Sequence, residues 1–189
     1  MLIRRATKDD AGQIVPLYKI ILNEMELPSL KKINEDKLNL VIKKSFSSAE
    51  YLGGKAQTIV AEINGKIAGF AWGYPDQNEQ EINDLMVSFL PEVGIRKGTQ
   101  IFDDDECFPN EWYLDSIAVS KKFQGRGIGT ALLKKLPLFT KKCGKKKLGL
   151  NVDWQNPSAE KLYRKIGFTK IGTTKLSHHY YDHLILKVN

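Results

Sequence analysis

Asn64-Gly65, set between the β-rich runs 58–63 and 66–72, constrains the fold of this chain more than any other feature. A two-residue turn that joins right-twisted strands needs positive φ at both positions, and Asn-Gly supplies it at the lowest steric cost. The two runs are therefore predicted to form an antiparallel hairpin. An all-helical fold is excluded, and any sheet is antiparallel at least in part.

On either side of the hairpin the apolar period alternates between two and 3.6 residues. Residues 2–6 read as a short strand, and Thr7 with Asp10 opens a helix striped by Ile14, Leu17, Tyr18, Ile21 and Leu22. Leu27-Pro28-Ser29 breaks that helix, and a second is expected over 34–46, before Gly53-Gly54 closes this part. Residues 79–89 carry a short helical pattern inside 74–110, the least regular stretch, in which 102–106 reads as an acidic loop. A buried strand over 112–119 follows. Residues 127–142 read as a helix that Pro137 kinks or ends, 147–153 as a strand, and 157–166 as a helix capped by Asn156 and ended by Gly167. Strands over 168–175 and 180–188 finish the chain. The order β-α-α-β-β, an insertion, then β-α-β-α-β-β predicts an α/β fold. A mixed, mostly antiparallel sheet of about seven strands is flanked by about four helices.

The 189 residues suit a single domain over 1–189, with a variable acidic insertion at about 74–110. No apolar run reaches the roughly 20 residues that span a bilayer, which argues against a membrane partner. Met1 leads into a strand pattern with no signal-peptide core, so a cytoplasmic location is expected. Cys107 and Cys143 have no spacing for zinc or a disulfide framework. His178, His179 and His183 have no ligand spacing either, and no metal is expected. The net charge of +7 is unevenly placed: residues 76–115 carry a balance of −9 and the rest of the chain +16. A basic body suits an anionic cofactor and an acidic segment suits a cationic acceptor; solvated faces are the plain alternative, and nucleic acid is the least favoured partner.

The chemistry concentrates after the strand at 112–119. A polar turn, Ser120-Lys121-Lys122-Phe123, leads into Gln124-Gly125-Arg126-Gly127-Ile128-Gly129-Thr130 at the mouth of a helix. Unpaired N–H groups and the positive helix end bind phosphates there, and glycines let the oxygens approach the backbone. The Walker pattern fails for want of a Lys-Ser/Thr pair after the second glycine. The dinucleotide pattern fails because its third glycine falls on Thr130.

The turn resembles the coenzyme A motif of the GNAT superfamily of N-acetyltransferases, [QR]-x-x-G-x-[GA], filled here by Gln124, Gly127 and Gly129. Asn156-Pro157-Ser158-Ala159, followed by Tyr163 and Gly167-Phe168, resembles the family's second signature, and the element order agrees over nearly the whole chain. The resemblance implies an acetyl-CoA-dependent N-acetyltransferase acting on a small-molecule or peptide amine. It implies a sheet splayed at the cofactor-binding strands, and assigns the backbone of Ile117, Ala118 and Val119, together with Asn156 and Ala159, to the pantetheine arm, Gln124 to Thr130 to the pyrophosphate, and Tyr163 to the general acid. Lys121, Lys122, Lys161 and Arg164 lie within sequence reach of the cofactor phosphates. Direct transfer to an amine also needs a base, since an alkylammonium has a pKa of about 10.4. Asp115 and Glu111, four residues apart, fall on one face of a strand if its alternation is unbroken. A catalytically silent acyl-CoA sensor is the alternative function, and a homodimer is one arrangement open to the chain.

Overall fold

The computed structural model describes residues 1–102 and 104–189. Of the acidic run Asp103-Asp104-Asp105-Glu106, Asp103 therefore lies outside the described residues.

Seven strands form one sheet in the order β1-β2-β3-β4-β5-β7-β6. They are β1 (Leu2–Arg5), β2 (Gln57–Ile63), β3 (Lys66–Pro75), β4 (Trp112–Val119), β5 (Lys147–Asp153), β6 (Thr169–Leu176) and β7 (His179–Lys187). Every pairing is antiparallel except β4 with β5. Asn64 and Gly65 turn the β2–β3 hairpin at φ 50° and 74°, with Ile63 opposite Lys66, as Asn-Gly dictates. The helices are α1 (Ala11–Glu24), α2 (Pro28–Lys31), α3 (Glu35–Ser47), α4 (Glu79–Ser88), α5 (Ile128–Leu133), α6 (Leu136–Lys142) and α7 (Pro157–Ile166). There are more than the four expected. Residues 28–31 fold as a short helix where the sequence suggested only a break, and Pro137, in the first turn of α6, splits residues 127–142 in two. Proline has no N–H to continue the ladder of α5 but suits a first turn.

The two sheet faces carry separate cores. On one, Tyr18 of α1 and Phe46 of α3 meet Phe70 and Trp72 of β3, with ring centroids 5.2–6.3 Å apart and mostly edge to face. Such pairs are worth about 0.5–1.5 kcal/mol each beyond the area they bury. Ile82, Met86, Leu90 and Ile101 join this core from the stretch whose sequence pattern is least regular. On the other face, Ile128, Leu132 and Leu133 of α5 cover Ala68 and Ala71 of β3, and Leu148, Leu150 and Tyr163 extend the layer. No helix among the described residues is long and apolar enough to cross a membrane.

Two irregularities set the geometry at the centre of the sheet. Between β3 and β4 the register slips, with Trp72 opposite Ser116 and Gly73 opposite Leu114, so Asp115 is a bulge residue without a partner. Gly73 permits the close approach, because a Cβ there would collide with the Tyr113 carbonyl and the Trp112 ring. The second irregularity is between β4 and β5, which pair only at Trp112 with Leu148 and Tyr113 with Gly149. Beyond Leu114 the strands diverge, while β5 stays paired to β7 as far as Asp153 opposite Tyr181. A bulge strengthens local twist and bends its strand, which fits the divergence beginning where Asp115 stands.

Candidate active site

A cavity of about 560 Å³ fills the gap between the diverging strands. Asp115, Ser116 and Ile117 of β4 form one wall, Leu150, Asn151, Val152 and Asp153 of β5 the opposite one. Asn156, Ala159 and Tyr163 line it from α7, and the C-terminal end of α1, Trp72 and Tyr74 of β3, and the β6–β7 hairpin enclose the rest.

The backbone of β4 is half available to this gap. Ser120 N–H bonds to Ala68 O at 2.9 Å, so by the antiparallel alternation Ala118 and Ser116 also face β3, while Ile117 and Val119 turn their N–H and C=O groups away from it. This corrects the expectation that residues 117 to 119 act as one contiguous stretch: Ala118 is committed to the sheet, and its side chain packs in the opposite core. Gln124 Nε2 donates to the Val119 carbonyl at 3.1 Å, tying the turn to the strand end.

The turn itself lies outside the enclosed cavity, on exposed surface beyond Val119. Gly125 and Gly127 have φ of 74° and 75°, and a Cβ on either would meet nothing within 4 Å. Glycine is thus required for the backbone conformation, while the space in front of it is open. Gly127 caps α5, and because Ala131 N–H is the first to bond back to Gly127 O, the N–H groups of Ile128, Gly129 and Thr130 have no partner inside the helix. Arg126 lies over the Phe123 ring at 5.5 Å.

Asn156 caps α7, its Oδ1 accepting from Ala159 N–H at 3.1 Å, which leaves the amide nitrogen free to act at the cavity wall. Tyr163 is buried, and its hydroxyl has no hydrogen-bond partner among the described residues. Burial, and next the charge of Glu24, hold its pKa well above the usual phenol value, so it keeps its proton.

The carboxylates do not fall where strand alternation put them. Asp115, re-aimed by the bulge, accepts from Ser116 Oγ at 2.6 Å and Tyr74 Oη at 2.9 Å. Burial pushes its pKa up to about 6, against the pull of those two donors. Glu111 precedes β4 and does not share that face. Fully buried, it accepts from Phe108 N–H at 2.8 Å and meets His183 Nε2 at 2.9 Å, across Gly149, where any Cβ would strike its carboxylate. Glu106 stands at the cavity in its place. Tyr113 Oη donates to Glu106 Oε2 at 2.7 Å, and burial, then the charge of Asp115, raise its pKa to about 8. In the sequence Glu106 stands only as the end of an acidic run suited to a cationic acceptor; nothing there distinguishes it from its neighbours or places it beside Tyr113 and Asp115.

A chain of hydrogen bonds joins these groups. His183 Nδ1 meets Asn151 Oδ1 at 2.6 Å, and Asn151 Nδ2 reaches Tyr113 Oη at 3.1 Å and the Glu106 carbonyl at 3.0 Å. Phe108 stacks on the imidazole at 3.8 Å. His183 is thus a structural histidine, and among the described residues no cluster of three or more His, Cys, Asp or Glu has metal-ligand geometry.

Residues 22–168 match the Acetyltransferase (GNAT) family, more than three quarters of the chain. The chain belongs to the GNAT acetyltransferase family. A solved acetyltransferase is similar to this family member over 100% of both chains at 39% identity and TM-score 0.88. An N-acetyltransferase from Staphylococcus aureus Mu50 is 28% identical with TM-score 0.83, over 98% of this chain and 100% of its own. A Salmonella typhimurium structure that contains its cofactor acetyl-CoA shares the fold, at 19% identity and TM-score 0.62 over 100% of this chain and 94% of its own. Among curated relatives, an N-acetyltransferase of Methanocaldococcus jannaschii is 40% identical over 55 residues; the match spans 29% of this chain and 24% of that relative's length.

Proposed function

We propose that this GNAT protein transfers an acetyl group from acetyl-CoA to a primary amine by direct attack, with no covalent enzyme intermediate. The observation that carries the reading is the divergence of β4 from β5, which leaves the N–H and C=O of Ile117 and the N–H of Val119 without a partner among the described residues, Ile117 in the same cavity wall as Asp115 and across from Tyr163. Family membership and a fold shared with a structure holding acetyl-CoA support the cofactor. The residues fit such a ligand on structural grounds as well: the strand that walls the cavity leads directly into an open glycine turn whose N–H groups lack helical partners.

Acetyl-CoA supplies the acetyl group activated as a thioester. Ile117 and Val119 line the pantetheine arm with their backbone amides, with Asn156 and Ala159 opposite, and the turn from Gln124 to Thr130 grips the pyrophosphate. Asp115 takes the proton that the incoming ammonium must lose. A β4 N–H near Val119 donates to the acetyl oxygen as charge grows there. The N–C bond forms, the C–S bond breaks, and Tyr163 gives its proton to the departing sulfur; the nitrogen sheds its second proton as it becomes an amide, and that proton, passed through solvent, restores the Tyr163 hydroxyl. The test is release of free thiol from acetyl-CoA against a panel of amines. Tight coenzyme A binding with no release from any amine would favour the silent sensor instead.

Two variants separate the roles. Tyr163→Phe is expected to lower kcat on the order of 100-fold with acetyl-CoA affinity unchanged, read by stopped-flow turnover and calorimetry; equal turnover would remove the acid. Asp115 works as a base only when ionised, and its pKa is raised to about 6, so activity is low below that pH and rises through it. Asp115→Asn removes this ionisation and moves the rising limb of kcat/KM upward, toward the amine's own pKa. A pH profile identical to that of the parent protein would assign the base elsewhere.

A further inference from the structure

Among the described residues, six carboxylates and no lysine or arginine line the cavity, in a chain whose net charge is +7. They fall into two groups. Asp115 and Glu106 sit deep, held by the hydroxyls of Tyr74 and Tyr113, and neither forms an ion pair among the described residues. Glu24, Glu26 and Asp153 stand toward the rim, where His179 lies 2.8 Å from Asp153 and 3.6 Å from Glu26. Glu79, the sixth, is occupied by the N–H groups of Glu106 and Cys107 and fixes the loop that carries Glu106. Carboxylates brought out of water without a cation are costly, and the elevated pKa of Glu106 reflects that cost. The rings of Tyr18, Trp72, Tyr74, Tyr113 and Tyr181 line the same cavity, and aromatic rings attract ammonium ions. Trp72 is 1% exposed, and its indole N–H has no partner among the described residues.

Resting on the transfer reading, we infer that the acceptor is a small aliphatic diamine or polyamine: one nitrogen reacts beside Asp115 while a second, still an ammonium, is held by Glu106. A lone amine would leave Glu106 without a cationic partner, whereas a dication lets both deep carboxyl groups stand ionised against a positive charge. The walls come from α1, β3, α4, both diverging strands and the last hairpin, so a volume of about 560 Å³, part of it taken by the acetyl end of the cofactor, suits a free small molecule better than a polypeptide segment. Glu106 is then a positioning and specificity residue rather than the base.

The test uses the full chain with acetyl-CoA, thiol release, and calorimetric titration of each amine. The amines are butylamine, the diamines of three, four and five carbons, a linear triamine and a lysine-containing basic peptide. At least one diamine or the triamine is expected to show kcat/KM about 30-fold above butylamine. Glu106→Gln should raise the KM of that amine about tenfold and the KM of butylamine far less, a split that a merely structural role for Glu106 would not produce, with acetyl-CoA affinity as the control for folding. Equal kcat/KM for butylamine and the diamines, or a clear preference for the peptide, would overturn the inference while leaving acetyl transfer intact. Diamine binding that Glu106→Gln weakens, with no thiol released from any amine, would uphold the dication site and remove the transfer reading. Absence of both binding and release would remove both. A Glu106→Gln protein that lost acetyl-CoA affinity as well is replaced by Glu106→Asp, for which an intermediate KM is the supporting result and an unchanged one the opposing result.

Discussion

Gly127→Glu is expected to weaken coenzyme A binding by roughly 30- to 1,000-fold, to the limit of titration calorimetry, without unfolding the protein. The fold survives because a Cβ at Gly127 meets nothing within 4 Å, so a side chain enters open space. The cost to stability is confined to holding a non-glycine residue at φ 75°, about 1–2 kcal/mol. The effect on the ligand is larger. A carboxylate placed at the mouth of α5 faces the pyrophosphate that the turn is proposed to bind, and one pair of like charges 4 Å apart costs about 1 kcal/mol in water and about 4 at an effective dielectric of 20. Two phosphate groups and partial exposure of the turn put the total on the order of 2–4 kcal/mol. Gly127→Ala separates the two contributions, since it carries the strain without the charge and should lose no more than about tenfold. If the glutamate variant bound coenzyme A as tightly as the parent, the pyrophosphate would have to sit elsewhere and the assignment of Gln124 to Thr130 would go with it.

That turn could be read from the sequence because its requirement is local: positive φ at Gly125 and Gly127, and a helix beginning at Ile128. The hairpin at Asn64-Gly65 and the cap at Asn156 were legible for the same reason. What could not be read depends on relations between distant residues. The divergence of β4 from β5 follows from where pairing stops; the family resemblance implied it, while no residue in either strand announces it. The bulge at Asp115 shifts the phase of β4 by one residue, so a period-two reading of 111 and 115 put both carboxylates on one face when only Asp115 reaches the cavity. Glu106 and Glu79 come from the stretch with the weakest periodicity; they are positioned by Tyr113 and by main-chain N–H groups, contacts that span 7 and 27 residues.

Glu111→Ala should lower stability by about 3–5 kcal/mol, and this result separates a structural carboxylate from a catalytic one. Glu111 is fully buried, and removing its side chain strands two polar partners at once, the Phe108 N–H and His183 Nε2. Each orphaned buried group costs about 1–3 kcal/mol, and the vacated volume against Gly149 adds a cavity contribution of similar sign. For a chain of 189 residues, at about 2–4 °C per kcal/mol, the melting temperature should fall on the order of 10 °C. His183→Ala should do much the same, and the double variant should lose less than the sum of the two, because either change already breaks the pair. Turnover of the folded fraction, assayed well below the melting transition, should drop by less than about tenfold, chiefly through loosening of Asn151 and Tyr113, the links to Glu106. The opposite pattern, a melting temperature unchanged and kcat reduced more than about 1,000-fold, would make Glu111 the base and require a route for its carboxylate from behind Gly149 into the cavity.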